Sequence, residues 1–345
     1  MARADEGLAF LLRYENVARY EDGVVAILDR RVYPGTTEFV RCADYVEVGQ
    51  AISNMVTQSG GPWLAAAWGM VSAARDVRGL AEGAAGEKLE DAAQTLIHAR
   101  PTRVRHMEAH LTRILRVARE ALSEGQDVEA ITATYVREIL EQRYERARQI
   151  AGFTVAVLPD ECTILTQCFA ETLIGYTLLV AQESKKKISL ICPETRPYLQ
   201  GARLTASVAH DMGVPVTVVT DNMPAHVMSK GKADVFISAA DVITLDGHVV
   251  NKIGTFQIAL AAHYHAIPYY VQGDPTVGNP TISTVTIEER DPEETLHAMG
   301  IRTAKEGVSG YYPAFDVTPP HLVSGVVTTK GVLSPYDLHN HFGSQ

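Results

Sequence analysis

The sequence predicts an α/β protein: a mostly helical N-terminal domain with a small antiparallel sheet (residues 1–150), then a domain with a mainly parallel sheet (residues 151–345). Three observations lead there. Short apolar runs alternate with helical segments from Thr163 to about residue 275. Those runs are apolar at successive positions, as strands covered on both faces must be. The chain before them carries helical periodicity through most of its length.

The strands are read from Thr163-Ile-Leu-Thr-Gln-Cys168, Ile188 to Cys192, Val214 to Val219, Ala233 to Ser238 and Ile267 to Val271. Each is short, rich in β-branched or aromatic residues, and bounded by turn formers. Helices are expected between them over Gln200 to Met212, Met223 to Lys230 and Lys252 to His265. In open sheets of this kind ligands bind beyond the carboxyl ends of the strands. The residues placed there are Cys168, Glu194 with Arg196, Asp221 with Asn222, Asp241, and Asp274.

Upstream, Val24 to Leu28 and Arg31 to Tyr33 read as short antiparallel strands, with Glu21-Asp-Gly23 turning the chain into the first. Helices follow over Tyr45 to Met55, Trp63 to Arg75, Leu89 to Ala99, Arg103 to Ser123 and Asp127 to Ile150, with a polar loop from Gly79 to Gly86. Gln58-Ser-Gly-Gly-Pro62 precedes an Ala-rich helix, with Pro62 where a first-turn proline is tolerated. Backbone N–H groups at Ser59, Gly60 and Gly61 are thus candidates to hold a phosphate. Arg100 falls where Pro101 separates two helices.

The composition narrows the function. With 46% hydrophobic and 21% charged residues the chain has a sizeable core, and its net charge of -10 argues against a nucleic-acid partner. No apolar run is long enough to span a bilayer and the first residues do not form a signal peptide, so a cytoplasmic protein without a membrane partner is expected. Cys42, Cys162, Cys168 and Cys192 include no CxxC pair and read as free thiols. The His106–His110 pair lacks the order of a zinc protease, and His339-Asn-His341 reads as a disordered tail or a partner contact. Neither a GxGxxG nor a Walker loop occurs, and neither a metal nor a nicotinamide cofactor is expected.

Several longer strings carry a family resemblance: Arg196-Pro-Tyr-Leu-Gln-Gly-Ala-Arg-Leu-Thr205, Thr220-Asp-Asn-Met223, Asn251-Lys-Ile-Gly-Thr255, Ile287-Glu-Glu-Arg-Asp-Pro292 and Pro313-Ala-Phe-Asp-Val-Thr-Pro319. With them the chain resembles the methylthioribose-1-phosphate isomerases from about Leu28 to Pro335. Relatives of that family are archaeal ribose-1,5-bisphosphate isomerases and the regulatory subunits of the translation initiation exchange factor. The resemblance implies a Rossmann-like C-terminal domain, a homodimer, and conversion of a furanose 1-phosphate into the open-chain ketose 1-phosphate. By motif position it places the catalytic cysteine on Cys168, the catalytic aspartate on Asp241, and substrate contacts on Arg100, Gln200, Asn251 and Lys252.

The chain also departs from the family pattern. Ser59 stands where the family usually has Arg, Gln167 and Phe169 flank the cysteine in place of His and Asn, Glu171 replaces a small residue, and Val242 replaces an Arg. Gln272 to Val277 differs from the family's small-residue loop. A 5-deoxyribose 1-phosphate isomerase is therefore the main alternative, ahead of a non-catalytic sugar-phosphate-sensing regulator and a ribose-1,5-bisphosphate isomerase.

The implied chemistry makes definite demands. The anomeric oxygen is blocked by phosphate, so the ring must open with the phosphate attached. That needs a general acid at the ring oxygen, a role for Asp241. A change at C2 follows, either by proton transfer with Cys168 as a thiolate base or by hydride shift in a dry pocket that Phe169 helps to close. Arg100, Lys252 and the Gly60-Gly61 turn suit the phosphate, and Gln200 and Asn251 suit sugar hydroxyls.

Overall fold

The first strands form a hairpin. In the computed structural model, which describes residues 3–100, 104–298 and 300–342 without the side chains of Arg105 and His106, the short helix α1 (Tyr14–Val17) leads into β1 (Ala18–Glu21) and β2 (Val24–Leu28). Asp22 and Gly23 both take positive φ, the tight turn that Asp-Gly favours. The third strand is β3 (Phe39–Cys42), antiparallel to β2. Arg31 to Tyr33, expected as a strand, is a turn instead. The Asp29 carboxylate accepts from the Arg31 backbone at 3.0 Å and its guanidinium at 2.7 Å, which curls the chain back.

Five helices follow: α2 (Tyr45–Ser53), α3 (Gly61–Asp76), α4 (Glu82–His98), α5 (Val104–Ser123) and α6 (Val128–Ala156). Helix α3 is apolar around its circumference and buried from Gly61 to Ala74, so it is the centre about which α2, α4 and α5 pack. Helix α4 begins within the expected Gly79–Gly86 loop. Ala85, Leu89, Ala92, Ala93 and Leu96 are fully buried along one face, and that burial outweighs the cost of Gly83 and Gly86 in a helix. Arg103, expected to open α5, lies outside the described residues, as does the His106 side chain; His110 meets the Trp63 ring edge-on at 5.5 Å.

The chain divides within α6 into two compact units, one containing Phe10–Glu145 and the other Arg146 onward. In the second unit β4 (Glu161–Thr166), α7 (Thr172–Glu183), β5 (Lys187–Pro193), α8 (Ala206–Asp211), β6 (Val216–Val219), α9 (Pro224–Ser229) and β7 (Val235–Ala239) come in that order. After them come β8 (Val242–Ile243), β9 (Val249–Lys252), α10 (Thr255–Tyr264), β10 (Tyr269–Gln272), the small hairpin β11 (His297–Ala298) and β12 (Ile301–Arg302), β13 (Phe315–Thr318), β14 (Gly325–Thr328) and β15 (Gly331–Leu333).

The seven-stranded sheet runs β15-β14-β10-β7-β4-β5-β6, parallel except for β15. The strand order reverses between β4 and β7, the doubly wound arrangement that opens a crevice where those two strands end. Alternation along each strand splits the core in two. Ile164, Val235 and Ile237 face α7 residues Ile174 and Leu178, whereas Leu165, Phe236 and Tyr269 face α10 residues Ile258, Ala259 and Ala262. Successive apolar positions in the sequence are thus two separate layers in space.

Three further departures position the site. Lys252, expected to open α10, instead ends strand β9 after Asn251, because β8, β9 and β13 form an antiparallel sheet of their own. The expected helix from Gln200 starts as a π-helical turn over Gly201–Thr205 before α8. The residues around His339-Asn-His341 are ordered in a 3₁₀ turn: Leu338 is fully buried, His341 is buried, and the Lys330 ammonium donates to the His341 carbonyl. Among the described residues, no helix is long and apolar enough to cross a membrane.

Gly201 shows how tightly the π turn is seated. A Cβ there would stand 1.8 Å from the Pro193 carbonyl oxygen, a backbone atom that cannot rotate away. Gly201→Ala is expected to cost roughly 1–3 kcal/mol or more, read as a lower urea midpoint at unchanged slope; an unchanged midpoint would contradict this packing.

Candidate active site

The site grows from the turn that follows β4. Gln167 is buried and its amide donates to the Ile253 carbonyl at 3.1 Å, tying this turn to the loop after β9. Cys168 takes φ +61, a left-handed conformation that costs a residue with a Cβ about 1–3 kcal/mol. Two threonines hold it there. The Cys168 N–H donates to Thr195 Oγ1 at 3.2 Å, and the Thr205 hydroxyl of the π turn donates to the Cys168 carbonyl. Phe169, next in the chain, is buried.

Asp241 stands just past β7, the other strand beside the crevice. Its N–H donates to the Val250 carbonyl of β9 at 2.9 Å, which ties it to the strand that ends in Asn251 and Lys252. The Asn251 amide donates to Thr255 Oγ1 at 3.1 Å, and that hydroxyl donates to the Lys252 carbonyl at 2.7 Å. Gly254 completes the junction at φ +101, its N–H donating to Asp316 at 2.7 Å, while an added Cβ would stand 2.9 Å from the Gln167 amide. Gln200, buried, immediately precedes the π turn.

The electrostatics join these groups. Burial pushes the Cys168 thiol up to about 11; Lys252 and Arg290 pull it down and Asp241 pushes it up, so all three act on one sulfur. The thiolate expected for a proton-transfer base is therefore not the resting form, because the loss of hydration exceeds what the two cations return. The Lys252 ammonium sits 5.0 Å from the Phe315 ring and 5.7 Å from the Tyr312 ring. Arg290 is held by the Glu288 carboxylate at 3.1 Å and lies within 6.0 Å of the Tyr198, Tyr312 and Phe315 ring centres.

Other strand-end groups serve the scaffold. Asp221 accepts from the Thr195 and Arg196 N–H groups at 2.7 and 2.6 Å, shaping the turn that carries Thr195. The Arg196 guanidinium is spent on the His297 carbonyl, and Asp274 on Arg146 and Thr329. Of the expected rim, the structure brings together Cys168 and Asp241, with Lys252 beside them. Sequence reasoning missed Tyr198, Arg290, Tyr312, Phe315 and Asp316; the strings Ile287 to Pro292 and Pro313 to Pro319 contained three of these without giving them a task.

Ser59, Gly60, Gly61 and Arg100 belong to the first unit. Ser59 takes φ +59, and the Gly61 N–H is committed to the Gln58 carbonyl at 3.1 Å, which corrects its expected availability to a phosphate. Gly61 itself is required by packing, since a Cβ would meet Thr57 Oγ1 at 1.8 Å. Beneath the turn lies Arg30, fully buried, donating to the Gln58 carbonyl. Arg100 is buried just beyond α4. Among the described residues no cluster of His, Cys, Asp and Glu is arranged to hold a metal.

A family model described as the initiation factor 2 subunit family matches residues 59–335. The chain belongs to that family. A methylthioribose-1-phosphate isomerase of Desulforamulus reducens is 37% identical over 93% of this chain and 96% of its own length, and one of Chloroflexus aurantiacus is 38% identical over 92% and 94%. The crystal structure of 5-methylthioribose 1-phosphate isomerase from Pyrococcus horikoshii superposes with a TM-score of 0.83 at 31% identity, covering 95% of this chain and 94% of that one. A structure described as the delta subunit of translation initiation factor eIF-2B from A. fulgidus gives 0.80 at 31% identity, covering 93% and 96%. The fold is thus shared by proteins described as enzymes and as translation factors, and the site must separate them.

Two measurements probe this geometry. Iodoacetamide should alkylate Cys168 at pH 7.5 at least about 10²-fold more slowly than glutathione, with the rate climbing only above about pH 10; fast labelling at neutral pH that disappears in Cys168→Ser would reveal a thiolate. Asp316 supplies a pH signature, since burial raises its carboxyl to about 6 against the pull of the Gly254 and Phe256 N–H groups. A carboxyl raised above its unfolded value of about 3.9 favours the fold when protonated, so its contribution is full below about pH 4 and lost as pH rises through 6. Thermal melts from pH 4 to 7 should be flatter in Asp316→Asn than in the parent.

Proposed function

We propose that this chain is an aldose–ketose isomerase that converts 5-methylthioribose 1-phosphate to the corresponding ribulose 1-phosphate, acting as a cytoplasmic homodimer. The observation that carries the reading is the placement of Cys168 and Asp241 past the two strands that flank the switch point, with Lys252 acting on the same sulfur. Relatives that share 37% identity along nearly their whole length are described as methylthioribose-1-phosphate isomerases.

Asp241 gives its proton to the ring oxygen as the C1–O4 bond breaks, leaving C1 as a phosphate-bearing oxocarbenium centre. Hydride then moves from C2 to C1, and the Asp241 carboxylate takes the proton from the 2-hydroxyl as the C2 carbonyl forms. Electrons and protons balance, with the carboxyl restored. Cys168 remains a neutral thiol beside the migrating hydrogen. With a thiol near 11 only about one molecule in ten thousand would carry a thiolate at pH 7, which favours hydride shift over proton abstraction. Burial of Phe169 beside the half-buried Cys168 supplies the apolar surroundings that this step needs.

Lys252 neutralises the phosphate, and Gln200 and Asn251 hold sugar hydroxyls. For Arg100, Ser59 and Gly60 the support is the family resemblance, and the role is contact with a sugar phosphate. The changes at Ser59 and Phe169 favour a second substrate, 5-deoxyribose 1-phosphate, as the comparison to run.

The test is turnover of the two sugar phosphates by the metal-stripped protein. Asp241→Asn should lower kcat by at least about 10²-fold, and Cys168→Ser should lower it as well by setting a hydrated hydroxyl beside the migrating hydrogen; parental rates would remove both from the mechanism. Run in D₂O, the hydride route leaves C1 of the ketose free of deuterium, whereas deuterium at C1 would restore Cys168 as a base. Sedimentation at micromolar concentration should give a dimer.

A further inference from the structure

The cluster around Cys168 holds one polar group that the reaction leaves unused. Tyr312 is 3% exposed, and its hydroxyl proton meets no acceptor among the described residues, Arg290 beside it being a donor only. Buried phenols ordinarily find a partner, and a hydroxyl deprived of water and of a protein acceptor is costly to keep. Such a group is retained where a ligand completes it. The ring is fixed from several sides: Tyr198 lies 6.5 Å away between centroids, the Lys252 ammonium 5.7 Å from the ring centre and the Arg290 guanidinium carbon 6.0 Å.

The charge around this ring says what the ligand is. Two cations flank it, Lys252 and Arg290, and Cys168 is close enough for its charge to act on the phenol. Burial pushes the phenol up to about 12 although Arg290 pulls the other way, so the hydroxyl stays a neutral donor at any working pH. Arg290 approaches the phenol oxygen as a donor, which leaves the O–H proton itself without an acceptor. A sugar hydroxyl would accept one hydrogen bond here, whereas a phosphate gains from Lys252 and Arg290 as well, even with Glu288 and Glu294 nearby.

We propose that Tyr312 is a further substrate-binding residue, its hydroxyl donating a hydrogen bond to the phosphate group that Lys252 neutralises. Arg290 acts through it as a positioning residue, locked by Glu288 and stacked within the same rings. This assignment rests on the isomerase reading for the identity of the substrate, but not for the anion site itself.

Tyr312→Phe tests it, because the ring contacts stay and only a hydroxyl whose proton has no acceptor goes, which leaves folding unthreatened. Without ligand the variant should melt at or above the parental temperature. With sugar phosphate its KM should rise about 10- to 100-fold while kcat stays within a few-fold, and the inhibition constant of inorganic phosphate should rise in parallel. An unchanged KM, a loss confined to kcat, or a higher KM with parental phosphate inhibition would each overturn the assignment. Should the parent turn over none of the sugar phosphates, the isomerase reading falls on its own. Calorimetric titration with inorganic phosphate then decides the Tyr312 site: weaker binding in Tyr312→Phe upholds it, and equal binding ends it.

Discussion

The geometry of the site depends on one peptide held where a side-chain-bearing residue would not ordinarily rest. Cys168 occupies the left-handed region because a hydroxyl from the turn after β5 takes its N–H and a hydroxyl from the π turn grips its carbonyl. Each support has its own foundation. Thr195 is shaped by the Asp221 carboxylate arriving from beyond β6, and Thr205 is set by a turn packed directly on the Pro193 carbonyl through Gly201. The ends of β4, β5 and β6 therefore fix a single sulfur, and strain at that residue is offset by contacts spread through the sheet.

The second anchor is the antiparallel sheet that rises beyond β7. Asp241 opens it, Asn251 and Lys252 close its middle strand, and Phe315 and Asp316 lie opposite them on β13. Buried Lys252 and half-buried Arg290 stand beside aromatic rings and the Cys168 thiol, an arrangement suited to a charge that arrives with the ligand. Lys252 and Arg290 only partly offset the desolvation of Cys168, so these surroundings favour a neutral sulfur. A bound phosphate would strengthen that preference, since a dianion opposes a thiolate. Substrate binding and the protonation state of the thiol thus point the same way.

Much of this was legible in the sequence, and the rest was hidden for physical reasons. The strands showed because a sheet covered on both faces leaves continuous apolar runs, and the principal pair, Cys168 and Asp241, followed from the rule about strand ends. Asn251 and Lys252 were identified through the family strings, but Lys252 was placed on the helix that follows. The signal was there: Asp246-Gly247 between Val242-Ile243 and Val249-Val250 is hairpin chemistry, overshadowed by the helical run that follows. Arg196, Asp221 and Asp274 could not be sorted from catalytic groups in advance, because the same residue types shape turns and do chemistry. Tyr198, Tyr312 and Phe315 meet only in three dimensions, through segments more than a hundred residues apart.

The β8-β9-β13 sheet shares no ladder with the seven-stranded one. A slip of one residue in the large sheet would turn every side chain of a strand to the opposite layer, so that register is under strong constraint. The small sheet makes no ladder with those strands, but Ile243 and Val249 reach into the layer that packs on α10, so the two sheets are joined through side chains alone. Side chains that project from the small sheet away from this shared layer are therefore the positions at which recognition can change, while the two threonines hold the sulfur in place. That separation gives a physical basis for one scaffold serving both metabolic enzymes and translation factors.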